Sequence, residues 1–111
     1  MATIKLLKII PSKRKDKKYV AYFKIGDDRE KVMHFGSKGM RDFTLISNKD
    51  SKFYIKEKAE RDKIKDAYIR RHEKRENWND PLTAGALSRW VLWELPTLAG
   101  SIKKFKNKYK L

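Results

Sequence analysis

The sequence predicts an α+β fold: a small antiparallel β-meander of three to four strands followed by two to three helices packed on one face. β-Branched and aromatic residues gather in the first half of the chain, helix formers take over from about Lys56, and strands precede helices without mixing. With 111 residues there is room for one modest core, so residues 1–111 are expected to form a single domain, β-rich over 1–50 and helical over 51–111.

The first strand is expected over 3–10, "TIKLLKII", ending at Pro11, which cannot donate to a ladder. After the charged connection "SKRKDKK", residues 19–25, "YVAYFKI", give the clearest strand signal, with Tyr19, Ala21, Phe23 and Ile25 on one face. "GDD" at 26–28 is turn chemistry, and "REKVMHF" at 29–35 returns as the second arm of a hairpin. "GSKG" at 36–39 breaks that strand, and "RDFTLIS" at 41–47 is read as a further one.

From Lys56 to about Arg75 the residues Ala59, Glu60, Ile64, Ala67, Tyr68 and Arg71 fall on one helical stripe. Asp80 before Pro81 suits a helix start, with Thr83 as a competing cap, and Pro96 should end that helix after about Leu92. Thr97 can cap a last, lysine-rich helix whose apolar stripe is Leu98, Ile102, Phe105 and Tyr109.

Charge dominates the composition. There are 29 basic and 14 acidic residues, a formal net charge of +15, with +7 over residues 1–50, +3 over 51–80 and +5 over 81–111. Self-repulsion of that size opposes compaction and is relieved by a polyanion or an acidic protein surface. Thirteen aromatic side chains argue against wholesale disorder. The chain has no cysteine, hence no disulfide or thiolate site, which fits a reducing compartment. Its opening "MATIKLLKIIPSKRK" does not read as a secretory signal, and Arg89, Glu94 and Pro96 interrupt the apolar run at 82–100, so no membrane span is expected.

All three tryptophans lie in "ENWNDPLTAGALSRWVLWEL", residues 76–95. On a helix beginning near Pro81, Leu87, Trp90, Val91 and Glu94 share one side, which suits a core-forming element. Tryptophan and arginine are also enriched at interface hot spots, and Trp78, Arg89 and Trp93 are the candidate partner-binding residues, Trp78 as the exposed anchor.

Other chemistry is poorly supplied. His34 and His72 lack a ligand set around them, Glu73 and Asp42 being the nearest candidates, so no metal site or cofactor is expected. His72 is read as bonding a carbonyl or Asp42, with Arg71 pairing to Glu76. Ser88 lacks a nucleophile elbow, "GSKG" lacks the spacing of a phosphate-binding loop, and an enzyme is not expected. The lysines remain: Lys13, Arg14, Lys15, Lys17 and Lys18 near the start, and Lys103, Lys104, Lys106, Lys108 and Lys110 near the end, are the candidate polyanion contacts.

"HFGSKGMRDFT" at 34–44 and "YIRRHEKRENWNDPLTAGALSRWVLWELPTLAGSI" at 68–102 together resemble a family of small basic proteins of unassigned function from large nucleocytoplasmic DNA viruses. The shared pattern is FG-x-x-G-x-x-D-[FY]-T, then R-H, E-N-W, and G-x-L-S-R-W-x-L-W-x-x-P-T-L. It is carried here by residues that include Phe35, Gly36, Gly39, Asp42, Thr44, Arg71, His72, Glu76, Trp78, Gly85, Ser88, Arg89, Trp90, Trp93, Pro96 and Thr97. The chain departs from it over 46–58, which is longer here.

The resemblance implies a viral protein and no reaction, its recurrent residues reading as a fold signature. The resulting expectation is a non-enzymatic structural component of a large DNA virus particle, a minor capsid or capsid-associated protein docking on virion proteins with acidic surfaces. It would lie in the virion and, before assembly, in the cytoplasm or viral factory of the host. The alternative is a sequence-independent nucleic-acid-binding protein that packages or compacts a viral genome through phosphate contacts.

Overall fold

A computed structural model describes residues 3–111. Three antiparallel strands, β1 (Ile4–Pro11), β2 (Lys17–Ile25) and β3 (Arg29–Ser37), form one sheet in the order β1-β2-β3. Four helices follow: α1 (Phe43–Ile46), α2 (Lys58–His72), α3 (Ala84–Leu87), which runs into a π-helical turn (Ser88–Leu92), and α4 (Leu98–Tyr109). The α+β arrangement expected from the sequence is therefore the one observed.

The pleat decides the sheet's inner face. Leu6 pairs with Phe23 and Tyr19 with Phe35, and Leu6, Ala21, Phe23 and Phe35 are all buried. Leu7, next to inward-facing Leu6, points out and is 50% exposed; a register shift between Leu6 and Lys8 keeps Lys8 out as well and returns Ile9 to the inner side opposite Ala21, which accounts for the broken alternation of β1. Against this face pack Phe43, Ile46, Tyr68, Leu87, Val91, Leu92, Trp93 and Phe105, completing one cluster of buried apolar residues.

Residues 41–47 are not a strand. Asp42 caps α1, its Oδ1 accepting from the Leu45 N–H at 3.0 Å and from the Thr44 hydroxyl at 2.5 Å. Phe43 and Ile46 then face the core at i, i+3 spacing. The cap supplies a local hydrogen bond that a strand at this position would lack, and an apolar pair three apart fits a helical turn as well as an irregular alternation.

The helix expected from Pro81 also starts later and changes character. Asp80 holds a turn by accepting from the Leu82 N–H, while the competing Thr83 is the actual cap, accepting from the Ala86 N–H at 3.1 Å. After one α-turn the chain widens: the Trp93 N–H reaches back to the Ser88 carbonyl at 3.2 Å. Val91, Leu92, Trp93 and Glu94 are consecutive and all buried, a run that one face of a regular α-helix would not accommodate. In α4 the expected stripe is present, with Phe105 fully buried. Ser101 is buried too, its hydroxyl accepting from the Leu95 N–H at 3.1 Å and satisfying the bend before the helix.

Gly36 is constrained twice. It has φ +78°, and a Cβ there would stand 2.9 Å from Leu92 Cδ1 and 3.3 Å from Lys18 Cβ, whereas Gly39, at φ +88°, has nothing within 4 Å of that position. Gly36→Ala is therefore expected to cost about 2–4 kcal/mol, backbone strain and overpacking together, and Gly39→Ala about 1–2 kcal/mol from the backbone alone. Urea unfolding midpoints of the two variants check the difference; equal losses would contradict it.

A cationic cleft as the candidate functional site

The tryptophan segment is interior. Arg89 is 9% exposed and Trp93 7%. The Arg89 guanidinium donates to Glu94 Oε1 at 3.0 Å and to the Trp93 carbonyl at 3.3 Å, and lies 4.4 Å over the Trp90 ring. Its Nε is buried without a partner. Glu94 also meets Lys104 at 2.6 Å and Lys65 at 3.7 Å. Burial works against ionising Glu94, but the hydrogen bonds from Lys104 and Arg89 and their charges outweigh it and hold the carboxyl below its usual range. Trp93 stacks flat on Tyr68, centroids 4.3 Å apart and 5° between planes.

Trp78 is half-buried rather than exposed: its indole N–H donates to Glu76 Oε2 at 2.7 Å, and its carbonyl accepts from the Trp90 indole and the Tyr109 hydroxyl. Trp78, Arg89 and Trp93 therefore brace one another and the core. They are not free surface anchors, because their polar atoms and ring faces are already engaged inside the chain.

A concave site does exist, about 630 Å³ in volume, between one end of the sheet, α2 and α3. Lys17, Lys18, Gly36 and Ser37 come from the strands, Met40, Arg41 and Asp42 from the turn before α1, and Lys63, Ile64, Ala67, Tyr68, Arg71 and His72 from α2; Glu76, Ala84, Gly85, Ser88, Leu92 and Trp93 complete it. Burial pushes the Tyr68 phenol well up, helped by the charge of Glu76 and partly offset by Arg89 and Arg71. His72 packs on the Tyr68 ring, centroids 4.4 Å apart.

Both acids in the cleft are committed to structure. Asp42 is 1% exposed and, besides capping α1, accepts from Lys18 Nζ at 2.6 Å. Glu76 is held by the Trp78 indole, lies 3.6 Å from His72 Nδ1, and packs close against Gly85, where a Cβ would come 2.9 Å from its Cδ and make the carboxylate shift. His72 thus faces Glu76 and not Asp42, and Arg71 has no carboxylate partner among the described residues, so neither pairing expected from the sequence is formed. Lys18, too, is removed from the polyanion contacts, because Asp42 already neutralises it.

The other candidate cations divide between two places. Lys13, Arg14 and Lys15 are exposed on the β1–β2 turn, Arg14 pairing with Asp16 at 3.2 Å, and Lys17 lines the cleft. Lys103, Lys106 and Lys108 on α4 and Lys110 just after it are exposed and do not line the cleft, with Lys108 lying 4.5 Å over Trp90, and Lys104 is drawn to Glu94.

The polyanion contacts expected from the sequence do not include Arg41 or Lys63, or Arg71, which is assigned to Glu76 instead, or the adjoining depression of about 410 Å³ lined by Arg70, Arg71, His72, Lys74 and Arg75. The signal was "IRRHEKR", masked by a net charge of only +3 over residues 51–80. Helix α2 carries Glu60, Asp62 and Asp66 before its last turn and Arg70, Arg71 and His72 within it, so the segment's balance hides a strongly cationic end.

Among the described residues no group of His, Cys, Asp or Glu could hold a metal ion, and no helix is long and apolar enough to cross a membrane. The chain matches a family of unknown function, DUF5754, over residues 7–55, which takes in most of β1, all of β2, β3 and α1, and the sheet wall of the cleft. No match is found among curated proteins or among solved structures.

Proposed function

We propose that this chain is a non-enzymatic, sequence-independent nucleic-acid-binding protein that contacts phosphates through clustered lysines and arginines. In the setting implied by the resemblance to proteins of large DNA viruses, it would package or compact a viral genome in the infected cell and the virion. One observation carries the reading. Of the 29 lysines and arginines, only Arg14, Lys18, Lys58, Lys65, Arg89 and Lys104 pair with a carboxylate among the described residues, so most of the cations are not held in an ion pair and the net charge is +15. A run of it follows the β1–β2 turn, the cleft and the end of α2, with Arg71 and His72 shared by both depressions. A capsid-docking role through tryptophan anchors fits less well, because Arg89 and Trp93 are buried.

Random-sequence duplex DNA is expected to bind at ~100 mM salt, with log affinity falling linearly against log salt by about 0.9 for each phosphate neutralised. Replacing Arg70, Lys74 and Arg75 by glutamine should reduce that slope by roughly one for each phosphate no longer neutralised, without altering sequence preference. Fluorescence anisotropy across a salt series checks both. Binding to poly-glutamate as tight as to DNA would instead favour docking on acidic virion proteins.

A further inference from the structure

We propose that the cleft between the sheet end and α2 is a discrete binding site for a phosphate monoester, the anionic group of a nucleotide or of a 5′-phosphorylated nucleic-acid end. This goes beyond non-specific attraction to a polyanion, because it assigns one saturable site and one chemical group.

The charge inventory of the cavity is lopsided once internal pairs are removed. Asp42 is taken by Lys18 and the α1 cap, while Glu76, held in place by the neutral Trp78 indole, keeps its single negative charge. Lys17, Arg41, Lys63 and Arg71 remain, with no carboxylate within ion-pair distance among the described residues. Four cations against the one charge of Glu76 leave the concavity net positive, and a compact, multiply charged anion relieves their repulsion best. A carboxylate brings one charge and two oxygens, whereas a phosphate monoester brings close to two charges and three terminal oxygens.

Arginine's planar fork matches phosphate oxygens, and the two arginines come from opposite walls, Arg41 from the turn after β3 and Arg71 from the last turn of α2. A volume of about 630 Å³ exceeds what a bare anion needs and falls among small-molecule pockets, and Ile64, Ala67, Leu92 and Trp93 give the ligand's organic body an apolar lining. Tyr68 is the one buried residue of α2, so a ligand bridging the two walls also ties α2 to the sheet.

The test is calorimetric titration of the full chain with adenosine 5′-monophosphate at ~100 mM salt, with adenosine alongside. One-to-one saturation by the monophosphate and none by adenosine is expected. Replacing both Arg41 and Arg71 by glutamine should weaken binding about 100-fold, since each charge-assisted hydrogen bond is worth roughly tenfold or more. Replacing Lys31 and Lys49 by glutamine removes the same charge from outside the cleft and should change nothing. Replacing both arginines by lysine keeps the charge and loses the fork, giving an intermediate loss, and the melting temperature of each variant verifies folding.

Oligonucleotides with a 5′-phosphate or a 5′-hydroxyl separate the two sources: preference for the former assigns a nucleic-acid end, and equal weak binding of both beside tight binding of the monophosphate assigns a free nucleotide. Equal weakening by the Arg41/Arg71 and Lys31/Lys49 pairs, saturation by adenosine, or no saturation by the monophosphate would overturn the site while leaving duplex binding untouched.

Discussion

Glu94→Gln is expected to destabilise the fold by about 3–5 kcal/mol, the loss typical of removing one member of a buried ion pair. The reason lies in what is left behind. The Arg89 side chain is 11% exposed and its Nε already lacks a partner, so with a neutral amide in place of the carboxylate a buried guanidinium loses its counter-charge and keeps only neutral support: the Gln amide oxygen, the Trp93 carbonyl and the faces of Trp90 and Trp78. Against a total stability of about 5–15 kcal/mol, this brings the chain close to unfolding.

The same group sets an acid limit. Its folded pKa lies below the ordinary value of 4.5, so its stabilisation is complete above that value and is lost as pH falls through the lower folded one. Wild-type stability should therefore decline below about pH 5, and Glu94→Gln should remove that part of the decline. Changing Arg89 to methionine together with Glu94→Gln should recover much of the loss, since the destabilising species is the orphaned charge and not the absence of the pair. Urea unfolding at neutral and acidic pH, carried out on the single and double variants, checks each step; a loss under 1 kcal/mol in the single variant would contradict the burial of this pair.

How much was legible in the sequence depended on whether the signal was local. β2 announced itself through Tyr19, Val20, Ala21, Tyr22 and Phe23, and the cap at Thr97 with the stripe Leu98, Ile102, Phe105 and Tyr109 gave α4 almost to the residue. Residues 41–47 were misread because alternation was weighed above capping, although Asp42 stands just before the first helical residue. The π-turn was hidden because its cause, four consecutive buried residues from Val91 to Glu94, is a demand of tertiary packing.

The cleft could not be read at all from net charge. Its walls come from residues 17–18, 36–42, 63–76 and 84–93, and which cations stay free depends on which carboxylates the fold has already claimed. Several residues of the motif segments 34–44 and 68–102 have structural duties. Gly36 leaves room for Leu92, Gly85 leaves room for Glu76, and Asp42, Trp78 and Arg89 satisfy buried polar groups, so these positions hold the fold. Arg71 belongs to the same segments and has no such internal duty among the described residues, which makes it the member best explained by a ligand.

Trp93→Ala separates the two roles a tryptophan can play here. A surface anchor would leave stability unchanged and abolish binding to a partner. Buried as it is, with its ring flat on Tyr68, Trp93 should instead cost about 3–5 kcal/mol when truncated. Tyr68 is the one buried residue of α2, and the remaining ties of that helix to the body are half-buried apolar contacts such as Ile64, together with the Lys65 hydrogen bond to the Glu94 carbonyl. Removing the stack should release α2 before the sheet unfolds, so that hydrogen exchange of its amides quickens more than that of β2. Trp93→Phe keeps an aromatic face and should lose about half as much. Because Arg71 and Lys63 ride on α2, the alanine variant should also lose monophosphate binding in the cleft while holding duplex DNA through Lys13, Lys15 and the α4 lysines. Unchanged stability with α2 exchange at the wild-type rate would return Trp93 to the surface and undo the architecture on which the cleft depends.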